Sequence, residues 1–236
     1  STRDVVARFI VPLTTDHTNH NHGYSYINWR HKKDDTLSQT AEVYVIHAWD
    51  AMFLDVFQSL LEYENREKER LLVLKERQDD ETYFSTTELT ATSSNSKVEE
   101  SVSEKVYWID AFLVNYHKST LKHHSGWFSK ALVNGISSMS RVVVVFANWT
   151  RPMVYERTWA MLEIYTTLLL RKKVEIALSD KNLIELQEEI KTDSPITMPY
   201  TYLNTLSKID ICDSSSFLEK HKNMIMKHIS QWLGPH

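Results

Sequence analysis

The chain has 236 residues, 42% of them hydrophobic and 11% aromatic, enough for a packed core in one large domain or in one domain with appendages. Its formal charge of −4 leaves no overall basic footprint and argues against a nucleic-acid partner. The single cysteine, Cys212, excludes an intramolecular disulfide, and no apolar run approaches the ~20 residues needed to span a bilayer. No secretory leader pattern opens the chain, so a soluble, cytoplasmic domain without a membrane partner is expected.

Residues 1–41 read as an N-terminal extension. An apolar stretch from Val5 to Leu13 is stopped by Pro12, and Arg8 to Val11 suits an extra strand or an extended arm. The His-rich stretch that follows (His17, His20, His22) lacks Cys or acidic partners at ligand spacings and reads as a solvated loop, with no metal implied. Glu42 to His47 is the first strand, β-branched and aromatic, and it runs through Ala48-Trp49-Asp50 into a helix carrying Met52, Phe53, Val56, Phe57, Leu60 and Leu61. Asn65 to Glu81 is charge-dense and either continues that helix or forms another. From Thr82 to Glu104 the chain is rich in Ser, Thr and Glu, so 65–104 reads as an exposed insertion. Val106 to Phe112 is a second strand, and Gly126 to Ser137 a helix with Trp127, Phe128, Leu132 and Ile136 inward. The aliphatic run Arg141 to Phe146 is a third strand buried on both faces, as in a parallel sheet covered above and below. Thr150 suits an N-cap and Pro152 an early position of the next helix, whose core stripe would be Val154, Thr158, Met161, Leu162, Tyr165, Leu168 and Leu169. Lys173 to Leu178 and Ile209 to Cys212 complete five strands alternating with helices, and Ser214 to Leu233 is a final amphipathic helix. The expected fold is α/β, a flavodoxin-like three-layer domain with a five-stranded parallel sheet.

In such sheets ligands bind beyond the carboxyl ends of the strands, where the strand order switches. His47 to Asp50, Asp110 to His117 and Asn148 to Pro152 arrive there. The third segment leads into the helix of Trp159 and Glu163, four residues apart and on one face. Neither G-x-G-x-x-G nor G-x-x-x-x-G-K-[ST] occurs, which excludes a dinucleotide fingerprint or a phosphate loop of those kinds. His47-Ala48-Trp49 stands where a response regulator carries its acids. His117, His123 and His124 read as a solvated cluster. Aromatics, a carboxylate and local cations (Arg30, Lys32, Lys33, Lys118, Lys122) suit a ligand with a stacking base and phosphates. A lone glutamate suffices for glycosidic cleavage when the leaving group is already cationic, as nicotinamide is in NAD.

The order strand, H-x-W, helix, then VYWIDAF, VVVVFANW and W-x-x-x-E, resembles Toll/interleukin-receptor-like (TIR) domains, and is most similar to the divergent modules of microbial eukaryotes and bacteria. The resemblance covers about residues 42–233, within a domain spanning 42–236. It implies that Glu163 is the catalytic residue of an NAD glycohydrolase yielding nicotinamide and ADP-ribose or a cyclised form, with NAD as substrate and no further cofactor. It implies further that His47, Trp49, Asp50, Phe53, Asp110 and Trp159 line or support the pocket. The loop from about Ala111 to Gly126 would gate it and mediate self-association. Ala160 stands where many members carry Cys. The alternatives are a non-catalytic TIR-type signalling scaffold acting by homotypic assembly, and a single-Glu nucleoside enzyme akin to deoxyribosyltransferases.

Overall fold

The structure is a computed structural model describing residues 1–16, 22–34, 36, 39–84, 105–117, 125–192, 204, 207, 209–216 and 219–233. Expectations at His17, His20, 85–104, Lys118, Lys122, His123, His124 and Phe217, and for the side chains of Trp127, Phe128 and Trp232, lie outside the described residues.

Among the described residues the sheet has four parallel strands, β1 (Val43–Ile46), β2 (Tyr107–Trp108), β3 (Arg141–Phe146) and β4 (Val174–Leu178), in the order β2-β1-β3-β4. Tyr44 pairs with Trp108 on one side and Val142 on the other, and Val144 pairs with Ile176. The central strands β1 and β3 alternate between two covered faces, which is why they read as almost continuously apolar, while the edge strand β4 leaves Ile176 46% exposed. Val43, Val45, Val143 and Val145 pack on one side with Val56, Leu60 and Tyr63 of α4 (Phe53–Phe84). Tyr44, Ile46, Val142, Val144 and Phe146 face the other layer, with Ile136 from α6 (Ser125–Ser138) and Ala160 from α7 (Thr158–Leu169). A small cluster of Leu162, Ile225 and Ile229 fastens the last helix, α9 (Glu219–Leu233), to α7. Between them α8 (Asp180–Thr192) follows β4. A four-stranded, all-parallel α/β sheet with helices on both faces is consistent with a flavodoxin-like fold. No helix among the described residues is long and apolar enough to cross a membrane.

The expected strand or arm near the N-terminus is helical instead: α1 (Thr2–Val5), a π-helical segment (Val6–Ile10) and α2 (Val11–Thr14) follow one another without a break. Val6 and Ile10, four apart, enter the main core, and the four-residue spacing decides for helix over β propensity. Backbone hydrogen bonds from Thr2 N to Ala51 O (3.2 Å) and Arg3 N to Trp49 O (3.1 Å) clamp this segment onto the β1–α4 loop. Farther along, α3 (Tyr26–Lys33) begins at Ser25, whose Oγ accepts from Asn28 N at 3.4 Å. Gly23 allows a close approach: a Cβ there would lie 2.2 Å from the His117 ring, which itself bonds Thr14 Oγ1 at 2.8 Å.

Three other expectations change. The second strand ends at Trp108, and Asp110 opens the short helix α5 (Asp110–Leu113), where an acid suits the first turn. The segment 209–212 forms a 3-10 turn (Ile211–Asp213) because the Asp210 carboxylate accepts from Cys212 N at 2.7 Å and its carbonyl from Asp213 N at 3.0 Å. Its neighbour Ser215 makes only an isolated parallel bridge with Arg157. Asn148, rather than Thr150, organises the turn after β3, its Oδ1 accepting from Thr150 N, Thr150 Oγ1 and Arg151 N. Pro152 then precedes a 3-10 turn (Met153–Glu156) instead of α7 itself.

Ile10 is buried and the adjacent Phe9 is exposed, so the two report whether the N-terminal helix belongs to the core. In urea unfolding, Ile10→Ala lowers the unfolding free energy by about 2–4 kcal/mol, while Phe9→Ala changes it by less than about 0.5 kcal/mol.

Candidate functional site

Arg157 is the residue that caps α7, and it sets how that helix meets the sheet. Its Nη1 donates to the carbonyl of His47 at 2.9 Å, and its Nη2 lies 3.4 Å from Asp110 Oδ2. Thr158, the next residue, bonds Ser214 Oγ at 2.8 Å and, through its backbone N–H, Ser215 O at 3.0 Å. So anchored, α7 turns Thr158, Ala160, Leu162, Glu163, Thr166 and Thr167 inward. Leu168 and Leu169, expected in the core stripe, are 61% and 49% exposed. The small residues Ala160 and Thr167 allow the helix to lie close to the sheet. Glu163 therefore sits on the inner face, 8% exposed.

The hydroxyl of Tyr44 donates to Glu163 Oε1 at 3.1 Å, and the Tyr44 ring stacks on Trp108 with centroids 4.5 Å apart. Burial raises the Glu163 carboxyl to about 7, with Arg157 the largest opposing influence and Asp110 a further upward one. Burial and the nearby Glu163 charge push the Tyr44 phenol well above its ordinary range, so it acts as a donor.

Asp110 is the second acid of the site and behaves in the opposite way. His47 Nε2 lies 2.9 Å from its Oδ1, the Trp49 indole N–H donates to its Oδ2 at 2.7 Å, and the Tyr116 hydroxyl donates to its carbonyl at 2.9 Å. Burial alone would raise this carboxyl, yet His47, Arg157 and the Trp49 N–H together hold it well below the usual carboxylate range. Arg157 also lies over the Trp49 ring, 5.2 Å from its centroid. With Nε2 committed to Asp110, the buried His47 Nδ1 has no hydrogen-bond partner among the described residues.

Of the residues singled out in the sequence, His47, Trp49, Asp110 and Glu163 are thus brought to the carboxyl edge of β1 and its surroundings. Asp50 and Phe53 stand at the same edge but outside the Asp110 and Glu163 contacts, and Trp159 faces another layer. Asp50 is exposed and pairs with Arg3 at 3.0 Å; Phe53 joins an aromatic cluster with Phe57 and Phe112. Trp159 packs with Leu162, Ile225 and Ile229 and meets the His221 ring edge-on at 5.6 Å, so it serves the α7–α9 contact. The aromatic pair at Glu163 is Tyr44 with Trp108. Lys32 and Lys33 lie over Tyr24 and Trp29, and the cation facing the two carboxylates is Arg157. Tyr44, Arg157 and Tyr116 escaped the sequence reading. Arg157, directly before an inward-facing helix, was the one legible hint.

Among the described residues, cavities open at the carboxyl edge. One, of about 530 Å³, lies between the turn after β3 and the 209–215 segment, with Arg151, Tyr155, Glu156, Asp210 and Asp213 in its walls. The other, of about 260 Å³, lies between α4 and the start of α8 and touches Ser59, Asn148 and Asn182. Glu163 lines neither. Comparison with protein-family models, curated proteins and solved structures finds no match.

The raised Glu163 carboxyl carries a sign. The folded chain binds this proton more tightly than an ordinary glutamate titrating near 4.5 does, so stability falls as pH rises from about 4.5 to about 7. The loss is on the order of 3 kcal/mol. Glu163→Gln keeps a side-chain acceptor for Tyr44 and removes the titration. Its melting temperature exceeds that of the unaltered chain at pH 8 and matches it at pH 4.5; equal pH dependence in both would contradict the assignment. Asp110→Ala strands His47, Trp49 and Arg157 together, and urea unfolding at pH 7 shows a loss of about 3–5 kcal/mol.

Proposed function

We propose that the chain is an NAD glycohydrolase of the TIR type, with a flavodoxin-like domain and Glu163 as its catalytic carboxylate. The observation that carries this reading is the buried Glu163 beside Asp110, Arg157 and His47, at the sheet edge where ligands bind in folds of this kind. The nicotinamide leaving group is cationic before the reaction starts. When the C1′–N bond breaks, the bonding pair passes to the pyridinium ring and neutral nicotinamide departs without needing a general acid. The positive charge left on the ribosyl carbon faces the ionised Glu163, whose attraction is strong in a site with little water. Water then adds at C1′, loses a proton and gives ADP-ribose. Tyr44 holds one oxygen of the carboxylate, and Arg157 favours its charged form.

Only the ionised carboxylate can stabilise that charge, and burial sets its midpoint at about 7. Nicotinamide release by the assembled chain therefore rises with pH between about 6 and 8. Glu163→Gln lowers kcat by at least about 100-fold, without the loss of stability that Asp110→Ala causes. Turnover that persists in Glu163→Gln would sink the catalytic role.

One observation favours a second reading, a non-catalytic interaction module. Glu163 is 8% exposed and already bonded to Tyr44, as an internal fastening would be. A chain that self-associates and binds no NAD, followed by light scattering and equilibrium dialysis, would select it.

A further inference from the structure

Buried polar groups in native chains are nearly always hydrogen-bonded. Ser59 stands in the stripe of α4 that meets the sheet, between Val56 and Tyr63, and is 0% exposed. Its Oγ has no hydrogen-bond partner among the described residues. A hydroxyl left in that state costs the fold more than an alanine in its place. Ser59 also lines the cavity of about 260 Å³ between α4 and the start of α8, so it borders open volume as well as packed core.

The cavity is framed by bonds that do not involve the Ser59 hydroxyl. Glu62 Oε2 accepts from Asp180 N at 2.6 Å and Arg66 Nη2 donates to Leu178 O at 2.6 Å, which latches α4 to the start of α8. Asn182 spans the ends of β3 and β4. Its Oδ1 accepts from Trp149 N at 3.1 Å, and its Nδ2 donates to Ser179 Oγ at 2.7 Å.

The walls select by what they hold and what they lack. They carry no aromatic ring, so a nucleobase finds nothing to stack on. Asp55 and Glu185 line the cavity with a single cation, Lys181, 4.0 Å from Glu185, so a phosphate would meet more negative charge than positive. No group of three His, Cys, Asp or Glu among the described residues could hold a metal ion. What the walls offer is a mixture of donors and acceptors. Ser59 Oγ can serve as either. Gln58 keeps Oε1 as an acceptor, since its Nε2 donates to Glu62 at 2.8 Å. Asn148 keeps Nδ2 as a donor, since its Oδ1 is taken by the turn after β3. Neighbouring hydroxyls, each both donor and acceptor, match such a set. At about 260 Å³ the cavity is smaller than the ~300 Å³ where drug-sized sites begin and far larger than the ~30 Å³ share of one water.

We propose that this cavity binds a small neutral polyol of about pentose size, with Ser59 Oγ as its buried contact. Ser59 belongs to the α4 side of the sheet, whereas Tyr44 and the Glu163 it bonds lie on the other. The site does not depend on NAD cleavage, so either proposal can fail without the other.

D-ribose titrated into the intact 236-residue chain, followed by amide NMR, tests it. Ribose binds with a dissociation constant on the order of 1 mM and shifts the amides around Ser59, Asn148 and Asn182. Ser59→Ala weakens binding about tenfold. Its melting temperature stays equal to that of the unaltered chain or rises, because the hydroxyl removed has no partner in the free chain. Gln58→Ala, at the exposed rim, also weakens binding and leaves the fold intact. No binding up to about 50 mM ribose overturns the proposal and leaves the cavity to water. Ribose binding that survives Ser59→Ala but is lost in Glu163→Gln overturns it too, placing the sugar at the other site. Inorganic phosphate or magnesium ion that binds through Ser59 where ribose does not overturns the polyol class.

Discussion

A buried carboxylate must be matched by donors or positive charge, or the fold cannot keep it ionised. Asp110 is matched from three directions: His47 and Trp49 from the loop after β1, and Arg157 from the start of α7. With the segment of Asp110 itself, after β2, three chain segments thus meet at the switch-point edge of the sheet. Arg157 is shared between Asp110 and the carbonyl of His47, so the rotation of α7 is tied to the same node. With α7 so turned, Glu163 meets Tyr44 in place of solvent. The N-terminal helix supports the node from outside, through its backbone bonds to Trp49 and Ala51.

The two acids of the site are driven apart by their surroundings. Asp110 is surrounded by donors and stays charged. Glu163 has one hydroxyl donor, and its neighbouring cation is shared with Asp110, so burial dominates and its proton is held to about 7. Pairs of carboxyls separated in this way are the usual arrangement by which one site supplies an acid form and a base form at neutral pH. The ionised Glu163 is also a burden on the fold above its midpoint.

Much of the frame was legible from residue patterns. The aliphatic run 141–146 could only be a strand covered on both faces, and the spacing of Val56 and Leu60 required a helix directly after β1. Local reading failed where distant contacts decide. Arg8 to Val11 has strand-forming residues, but the core accepts Val6 and Ile10 on one helical face. Ile209 to Cys212 has an apolar pattern, but Asp210 captures the backbone of the turn first. At the site, H-x-W and the Asp of WID are the motifs whose His47, Trp49 and Asp110 the fold brings into one hydrogen-bonded group. Trp159 shares a spacing with Glu163, yet its flat indole fits against α9, and the ring that Glu163 meets comes from β1, 119 residues earlier. A partner that far away leaves no periodic signal.

The most direct test of this account is the titration of Glu163 itself. In the intact chain with 13C-labelled glutamate carboxyls, the resonance that disappears in Glu163→Gln would be followed from pH 4 to pH 9. The account predicts a midpoint near 7, set by burial against the pull of Arg157. A midpoint at the ordinary glutamate value near 4.5 would contradict it.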